Sequence, residues 1–248
     1  MVEWSKCLAE AKILHLSGVL LRLVESQEQV ATNHLVSSLD RQAVLEEMLE
    51  ATKPGLRSGT EGLHYLLATP FRYPPLKHGS RFGTRAEPSL FYGALETKTV
   101  LAEAAYYRFL FWHGMVMPPS GKLDTQHTLF GANYHTDQGL KLQGAPFVAY
   151  RDVLCNPLDY TQPQALGARM RAAGVEAFEF MSARDPKGGI NVALFTPAAL
   201  SSHSPLFQEA WLCELTGKRV SFYASHRHDV HTFPIEAFLT AGKLPQVV

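Results

Sequence analysis

The sequence predicts an α+β fold. Helical and strand-like segments follow one another without the regular βαβ alternation of a doubly wound α/β fold. The chain has 248 residues, of which 46% are hydrophobic, enough for one sizeable core. The motifs GxGxxG, GxxxxGKS/T, HExxH and GxSxG are all absent from it. Their absence disfavours a Rossmann dehydrogenase, a P-loop NTPase, a zincin and an α/β-hydrolase.

The charge balance and the cysteines narrow the class further. Lys plus Arg and Asp plus Glu number 23 each, so no overall field attracts nucleic acid directly. No run of about 20 apolar residues predicts a membrane span, and the mixed-charge start MVEWSKCLAEAK is unlike a secretion signal. Cys7, Cys155 and Cys213 are odd in number and far apart. We therefore expect neither a disulfide framework nor a zinc framework. The same cysteine pattern leads us to expect a cytoplasmic protein.

The N-terminal part predicts one strand and one helix. Residues 18–27 begin with an apolar run and are interpreted as the first strand. Residues 38–51 are predicted to form a helix that Ser38 or Asp40 caps and that Lys53-Pro54-Gly55 ends. Its apolar stripe at helical spacing consists of Val44, Leu45, Met48 and Leu49.

The next segment, LHYLLATPFRYPPLKHGSRFG, is rich in proline. Pro70, Pro74 and Pro75 exclude a long helix, so an extended, irregular segment is predicted. Beyond it, 89–93 is predicted to be a short buried strand. Thr97 is the expected N-cap of a helix over 98–112.

The C-terminal half predicts more strands than helices. The segments HTLFGANYH and GLKLQ, within 113–146, are expected to pair as two strands around a turn. A helix is predicted over 164–173 and ends at Gly174. We further expect strands at EAFEFMSAR, INVALF and RVSFYAS, a turn at DPKGG, and a short helix near 205–212.

Two arginines and two tyrosines suggest an anionic ligand with a flat ring. Arg72 and Arg81 lie in a segment constrained by proline and glycine, and a guanidinium matches phosphate oxygens in pairs. The alternative is two solvated surface arginines. Tyr73 and Tyr92 are candidates for stacking on a ring or hydrogen-bonding a ligand, although core tyrosines with bonded hydroxyls are the commoner case.

Glu103 and Ser182 are the remaining candidates. Glu103 lies in VLAEAAYYRF, a helical stretch poor in charge, where a carboxylate is either paired internally or functional. Ser182 follows an alternating strand, a position where a serine usually forms a turn or a cap.

Histidines in SHRHDVH raise the question of a metal. On a strand, His226 and His228 would share one face, with Asp229 and His231 nearby. A metal site needs three or four converging ligands, so a solvated or hydrogen-bonded cluster is the favoured interpretation and no metal is predicted.

Taken in order, three segments resemble the RES-domain family, named for its Arg, Glu and Ser. HGSRFG is similar to the family's Gly-Gly-Arg-(Trp/Phe)-Asn motif. SLFYGALETKTVLAE is similar to its strand with a terminal tyrosine followed by a helix with Ala-Glu. FMSARDPKGGINVALF is similar to its late Ser-Ala-Arg segment and the following Gly-Gly-x-Asn strand. The resemblance spans roughly residues 64–200.

The resemblance implies a fold and an activity. The expected fold is an ADP-ribosyltransferase-like split β-sheet core with flanking helices, which clamps NAD. Residues 1–60 would form an N-terminal strand and helical extension and 61–248 the NAD-binding catalytic domain, within one compact domain overall. The family consists of toxins of bacterial toxin–antitoxin modules that destroy NAD at the nicotinamide–ribose bond by phosphorolysis or hydrolysis. Some members instead transfer ADP-ribose to a protein.

The resemblance also implies partners. NAD is expected as substrate, inorganic phosphate as a possible co-substrate, and no cofactor. An Xre-type antitoxin with its own helix-turn-helix would bind the toxin in a hetero-oligomer, so any DNA contact would come from that partner. The rivals are a mono-ADP-ribosyltransferase acting on a host-cell protein and a non-catalytic nucleotide-binding module.

Residue by residue, the resemblance assigns the site. Arg81, Glu103 and Ser182 correspond to the motif arginine, glutamate and serine and are the expected catalytic residues. Tyr92 corresponds to the strand tyrosine. The pair Arg72-Tyr73 corresponds to an Arg-Tyr pair that precedes the motif arginine in several members, and with Tyr92 it is expected to bind NAD and its phosphates. Arg22 is the rival for the first family arginine.

Overall fold

A computed structural model describes residues 2–26 and 35–246 of the chain. Its helices are α1 Trp4–Glu10, α2 Leu39–Thr52, α3 Tyr65–Arg72, α4 Thr97–Gly114, α5 Arg151–Leu154 and α6 Thr161–Ala172. Its strands are β1 Leu14–Glu25, β2 Phe91–Ala94, β3 Leu123–Lys141, β4 Ala177–Met181, β5 Ile190–Leu194, β6 Phe207–Leu215, β7 Arg219–Ala224 and β8 Asp229–Pro234. Short 3₁₀ turns cover Phe147–Tyr150, Pro197–Ala199 and Ile235–Phe238.

The eight strands form one mixed sheet organised around β3. Strand β3 pairs with β1 along most of its length, with β6 at its N-terminal half and, in parallel, with β4 at its C-terminal end. Strands β4, β5 and β2 continue antiparallel, and β2 meets β1 again at Leu21 and Ala94. Five strands therefore close a ring, and β6, β7 and β8 extend from it as an antiparallel arm. The predicted α+β class is confirmed.

Helix α4 lies across the junction of the ring and the arm. Its side chains Leu101, Ala105 and Phe109 are fully buried in a cluster that includes Trp211 and Phe222 of the arm. Burial of the Leu101 and Phe109 side chains contributes about 1.5–3 kcal/mol each. The helix is confirmed, but its N-cap is Glu96 rather than the predicted Thr97, which is the first helical residue.

Helix α2 forms where the sequence predicts it. The Ser38 hydroxyl caps it by accepting a hydrogen bond from the Arg41 amide at 3.3 Å. The expected apolar stripe is solvent-facing instead, with Val44 56% and Met48 62% exposed. Helical spacing therefore identified the helix correctly, but it identified no buried face.

The proline-rich segment contains a short helix where the sequence analysis predicted an extended, irregular segment. Residues Tyr65–Arg72 are helical although Pro70 lies inside. A helix of eight residues loses only one internal hydrogen bond to Pro70, and the buried side chains of Leu67 and Phe71 compensate for it. The prediction of an irregular segment was wrong for these residues.

Two further predictions about the C-terminal half were wrong. The segments HTLFGANYH and GLKLQ do not pair around a turn, because HTLFGANYH and the first three residues of GLKLQ lie in the single strand β3. Gly139 is there for close approach: a Cβ atom would collide with the Leu16 side chain of β1. The helix expected near 205–212 is strand β6, in which Trp211, Cys213 and Leu215 are buried at strand periodicity.

The other predicted elements are confirmed. Helix α6 covers the helix expected at 164–173, followed by Gly174 with a positive φ of 76°. Strands β4, β5 and β7 match the three strands predicted there. Strand β1 matches the first predicted strand, although residue 27 lies outside the described residues. Among the described residues, none of the helices combines the length and apolar character needed to cross a bilayer.

Candidate active site

Two neighbouring cavities form one cleft beside the ring of strands. The first, of about 330 Å³, is named the acid cavity because Glu103 lines it. The second, of about 390 Å³, is named the rim cavity and includes the proline-rich segment. Both volumes are typical of ligand pockets. The side chains that line both cavities belong to Arg22, Ser80, Tyr92, Tyr107 and Tyr160.

Three elements meet at the Glu103 carboxylate. Glu103 lies on α4, and its Oε1 accepts a hydrogen bond from the Ser182 hydroxyl at 2.6 Å. The same oxygen accepts another from the Asn191 amide of β5 at 2.7 Å. The other oxygen, Oε2, has no hydrogen-bond partner within the described residues. One oxygen thus holds the carboxylate in place and the other is available to a ligand.

The direction of the Ser182 hydroxyl is settled by its other contacts. Ser182 follows β4, and its Oγ accepts hydrogen bonds from the amides of Arg184 at 3.1 Å and Asp185 at 3.0 Å. Its single proton is therefore free to be donated to Glu103. Both interpretations from the sequence apply, since Ser182 forms the turn and also contacts the candidate carboxylate.

Asn191 is a site residue that the sequence analysis did not single out. In the sequence, Asn191 is the Asn of the Gly-Gly-x-Asn strand in the RES resemblance, to which no role was assigned. Its amide nitrogen binds Glu103, while its Oδ1 is buried without a partner in the described part of the chain. A polar residue inside the otherwise apolar strand INVALF was the signal that could have identified it.

Arg81 lies at the back of the acid cavity. It is 9% exposed, and one guanidinium nitrogen donates to the carbonyl oxygens of Leu154 at 3.0 Å and Asn156 at 2.8 Å. The guanidinium also lies 4.5 Å from the ring centre of Tyr160. No carboxylate pairs with Arg81 within the described residues. Its charge is held by carbonyl groups and a ring and is left for an anion.

Arg22 is the second cation of the cleft. It lies on β1, donates to the Tyr92 carbonyl at 2.6 Å and is placed 5.4 Å from the Phe91 ring centre. Burial lowers the pKa of Arg22 to about 10. Its Nε is buried without a hydrogen-bond partner, and no acid pairs with it among the described residues. A half-buried cation whose Nε is buried and unpartnered, with no counterion among the described residues, favours an anionic ligand.

Tyr92 connects the two arginines. Its hydroxyl is hydrogen-bonded to the Ser80 hydroxyl at 2.9 Å and accepts from the Phe82 amide at 3.2 Å. Burial raises the pKa of Tyr92 to about 12, so the phenol stays protonated at neutral pH. These bonds fix the turn that carries Arg81, while the backbone of Tyr92 holds Arg22.

The pair Arg72-Tyr73 is divided between two environments. Arg72 lines neither cavity; its guanidinium binds the Glu50 carboxylate at 2.6 Å and the Pro54 carbonyl at 2.5 Å. Hydrogen bonds from Lys53 and Arg72 lower the pKa of Glu50. Tyr73 lines the rim cavity and is 41% exposed. The structure therefore brings Arg22, rather than Arg72, to the cleft.

The histidines of SHRHDVH form separate pairs. His231 binds Asp229 at 2.8 Å, and His228 binds the Tyr223 hydroxyl at 2.8 Å. His226 is exposed in the turn between β7 and β8. These side chains do not converge on one point.

Most of the chain matches one protein family. A model of the RES domain matches residues 56–216. No curated protein matches the chain significantly. The matched segment contains Arg81, Glu103, Ser182 and Asn191 but not Arg22, which β1 adds from outside it. At the family level, the RES domain is linked to toxin–antitoxin modules and to enzymes acting on NAD. Since the match covers well over half of its length, this chain belongs to the RES-domain family.

Proposed function

We propose that this chain is the toxin of a toxin–antitoxin pair and that it depletes NAD by cleaving the nicotinamide–ribose bond. The observation that carries the proposal is the arrangement in the acid cavity. A carboxylate with one fixed and one free oxygen lies in the same cavity as Arg22 and Arg81, which have no acidic partner among the described residues. A carboxylate that shares a cavity with two arginines suits a ribose next to a diphosphate.

Glu103 is the proposed catalytic residue. When the bond between ribose C1 and the nicotinamide nitrogen breaks, the bonding electrons leave with neutral nicotinamide and positive charge develops on the ribose. A nearby carboxylate stabilises that oxocarbenium-like transition state. Because Ser182 and Asn191 hold Oε1, Oε2 is the oxygen that faces this charge or binds a ribose hydroxyl. Water or phosphate then attacks C1.

Arg22 and Arg81 are proposed to bind the phosphates. Two guanidinium groups match a diphosphate better than ammonium groups do, because each presents a planar fork of donors. Arg22 takes the phosphate-binding place that Arg72 was expected to fill, while Tyr73 stays in the rim cavity. In a phosphorolytic reaction, one of these arginines would also orient inorganic phosphate as the nucleophile.

The two tyrosines have different proposed roles. Tyr92 positions the turn of Arg81 through its hydroxyl and contacts the ribose side of the substrate from the wall that both cavities share. Tyr73 offers an aromatic face in the rim cavity, which suits a flat, uncharged ring of the dinucleotide.

Family membership supports a proposal about the antitoxin and the cellular setting. We propose a cytoplasmic toxin that a neighbouring antitoxin of the Xre type binds and silences in a hetero-oligomer. Expression of the chain alone should stop bacterial growth, and co-expression of the protein from the adjacent gene should restore it. Growth arrest that persists in the Glu103→Gln variant would contradict toxicity through the cleft.

Product analysis tests the reaction. Purified chain is incubated with NAD with and without inorganic phosphate, and the products are separated by chromatography and mass spectrometry. Free ADP-ribose indicates hydrolysis, its 1″-phosphate indicates phosphorolysis, and label from NAD on protein indicates ADP-ribose transfer. Glu103→Gln should abolish whichever product appears. NAD binding without any product would instead support a non-catalytic module and overturn the proposal.

A further inference from the structure

A second group of polar side chains lies on the outer face of the sheet, away from the cleft. His15 of β1 and the β3 residues His135 and Asp137 offer three ligand atoms that all lie within 4.8 Å of one another. The three side chains are exposed. His15 Nδ1 lies 2.8 Å from Asp137 Oδ1, and the two imidazole rings meet edge to face with centres 4.8 Å apart.

The register between β1 and β3 explains the convergence. Leu14 pairs with Gly139 and Leu16 with Thr136, so the single residue His15 lies opposite two residues of β3. This bulge turns Asp137 toward His15. His135 pairs with Ser17 across the two strands. Because Ser17 is two residues from His15 along β1, the side chains of His15 and His135 lie on the same face of the sheet. Backbone pairing on two adjacent strands, rather than a mobile loop, holds the three side chains together.

The ligand set is one that transition metals prefer. Two imidazoles and a carboxylate bind Zn²⁺ with metal–ligand distances of about 2.0–2.2 Å, which puts neighbouring ligand atoms roughly 3.3 Å apart in a tetrahedron. The His15–Asp137 separation is close to that spacing. The imidazole of His135 reaches it by a side-chain rotation that its exposure permits. Three protein ligands leave a position for water.

We propose that His15, His135 and Asp137 form a binding site for a divalent transition-metal ion such as Zn²⁺. The ion joins β1 to β3, the strand pair on which both the ring and the arm depend. Arg22 lies further along β1, on the order of 20 Å away at about 3.3 Å per residue. The site therefore acts on the stability of the strand pair rather than on the chemistry of the cleft. The inference is independent of the proposed NAD activity.

Zinc titration of the untagged full chain tests the site. The chain is treated with chelator, desalted and titrated with ZnCl₂ by calorimetry. We expect one ion per chain and a melting temperature that rises with zinc. His135→Ala and Asp137→Asn should each weaken binding at least about tenfold and remove the thermal shift.

Controls separate this site from other histidines. His226→Ala, in the exposed turn between β7 and β8, should bind zinc as the wild type does. Circular dichroism of the metal-free variants checks that His135→Ala and Asp137→Asn fold normally, and His15→Ala provides a third variant if one does not. Absence of binding, or binding that none of the three site variants weakens, would overturn the proposal.

Discussion

The two cavities of the cleft are built in different ways. In the acid cavity, Glu103 is held by hydrogen bonds to Ser182 and Asn191, which come from the ends of two other elements. The rim cavity shares Arg22, Ser80 and three tyrosines with the acid cavity, but Glu103 does not line it. The walls that it does not share include prolines and Tyr73. We infer that the chemistry takes place in the acid cavity, where the Glu103 carboxylate is held in place, and that the rim cavity contributes binding.

The largest effect is expected at the acid itself. Glu103→Gln keeps the size and the contact with Ser182 but removes the negative charge that stabilises the transition state. The turnover number should fall at least about 100-fold, while NAD binding measured by calorimetry stays close to that of the wild type. Glu96→Gln, on the exposed N-cap of the same helix, is the matched control and should leave turnover unchanged.

A smaller effect is expected at the residues that position the acid. Asn191→Ala removes one hydrogen bond to a charged group, worth about 1.5–3 kcal/mol, so the turnover number should fall roughly 10–100-fold with little change in KM. Ser182→Ala should behave similarly. An equal rise in KM with unchanged turnover would mean that Asn191 contacts substrate instead of positioning Glu103.

Comparing two arginines tests the assignment of the phosphate site. Arg22→Lys retains the charge but loses the planar fork, so KM for NAD should rise about tenfold. Arg72→Lys should leave KM unchanged, because Arg72 binds Glu50 and Pro54 outside both cavities. Steady-state kinetics give the KM of both variants. A KM that rises in Arg72→Lys and not in Arg22→Lys would restore Arg72 as the first family arginine.

The smallest effect is expected in the rim cavity. Tyr73→Ala removes a half-exposed ring and should raise KM for NAD only a few-fold without lowering the turnover number. The KM and the turnover number of Tyr107→Ala are compared with those of Tyr73→Ala, because the Tyr107 ring lines both cavities. A large loss of turnover in Tyr73→Ala would show that the division between the two cavities is wrong.

Much of the ring could be predicted from local pattern. The helix carrying Glu103 and the strands around Ser182 have a periodicity that the tertiary structure reinforces, so their prediction was confirmed. Strand β6 was mistaken for a helix because apolar side chains lie on both of its faces. Trp211 is buried and its neighbour Leu212 is exposed, so the apolar and polar residues do not alternate as in a half-buried strand. Gly139 begins GLKLQ, which was expected to be a separate strand, and its role in β3 is to let β1 and β3 approach.

Composition, short-range periodicity and the order of motifs were enough to predict the α+β class, the RES resemblance and the candidates Arg81, Tyr92, Glu103 and Ser182. The folded arrangement was needed to see that Arg22 reaches the cleft while Arg72 does not, and that Asn191 holds Glu103. The physical reason is that burial and hydrogen-bond partners are set by strand pairing between residues far apart in the chain. The local sequence around an arginine does not predict which carboxylate or carbonyl group will accept its hydrogen bonds.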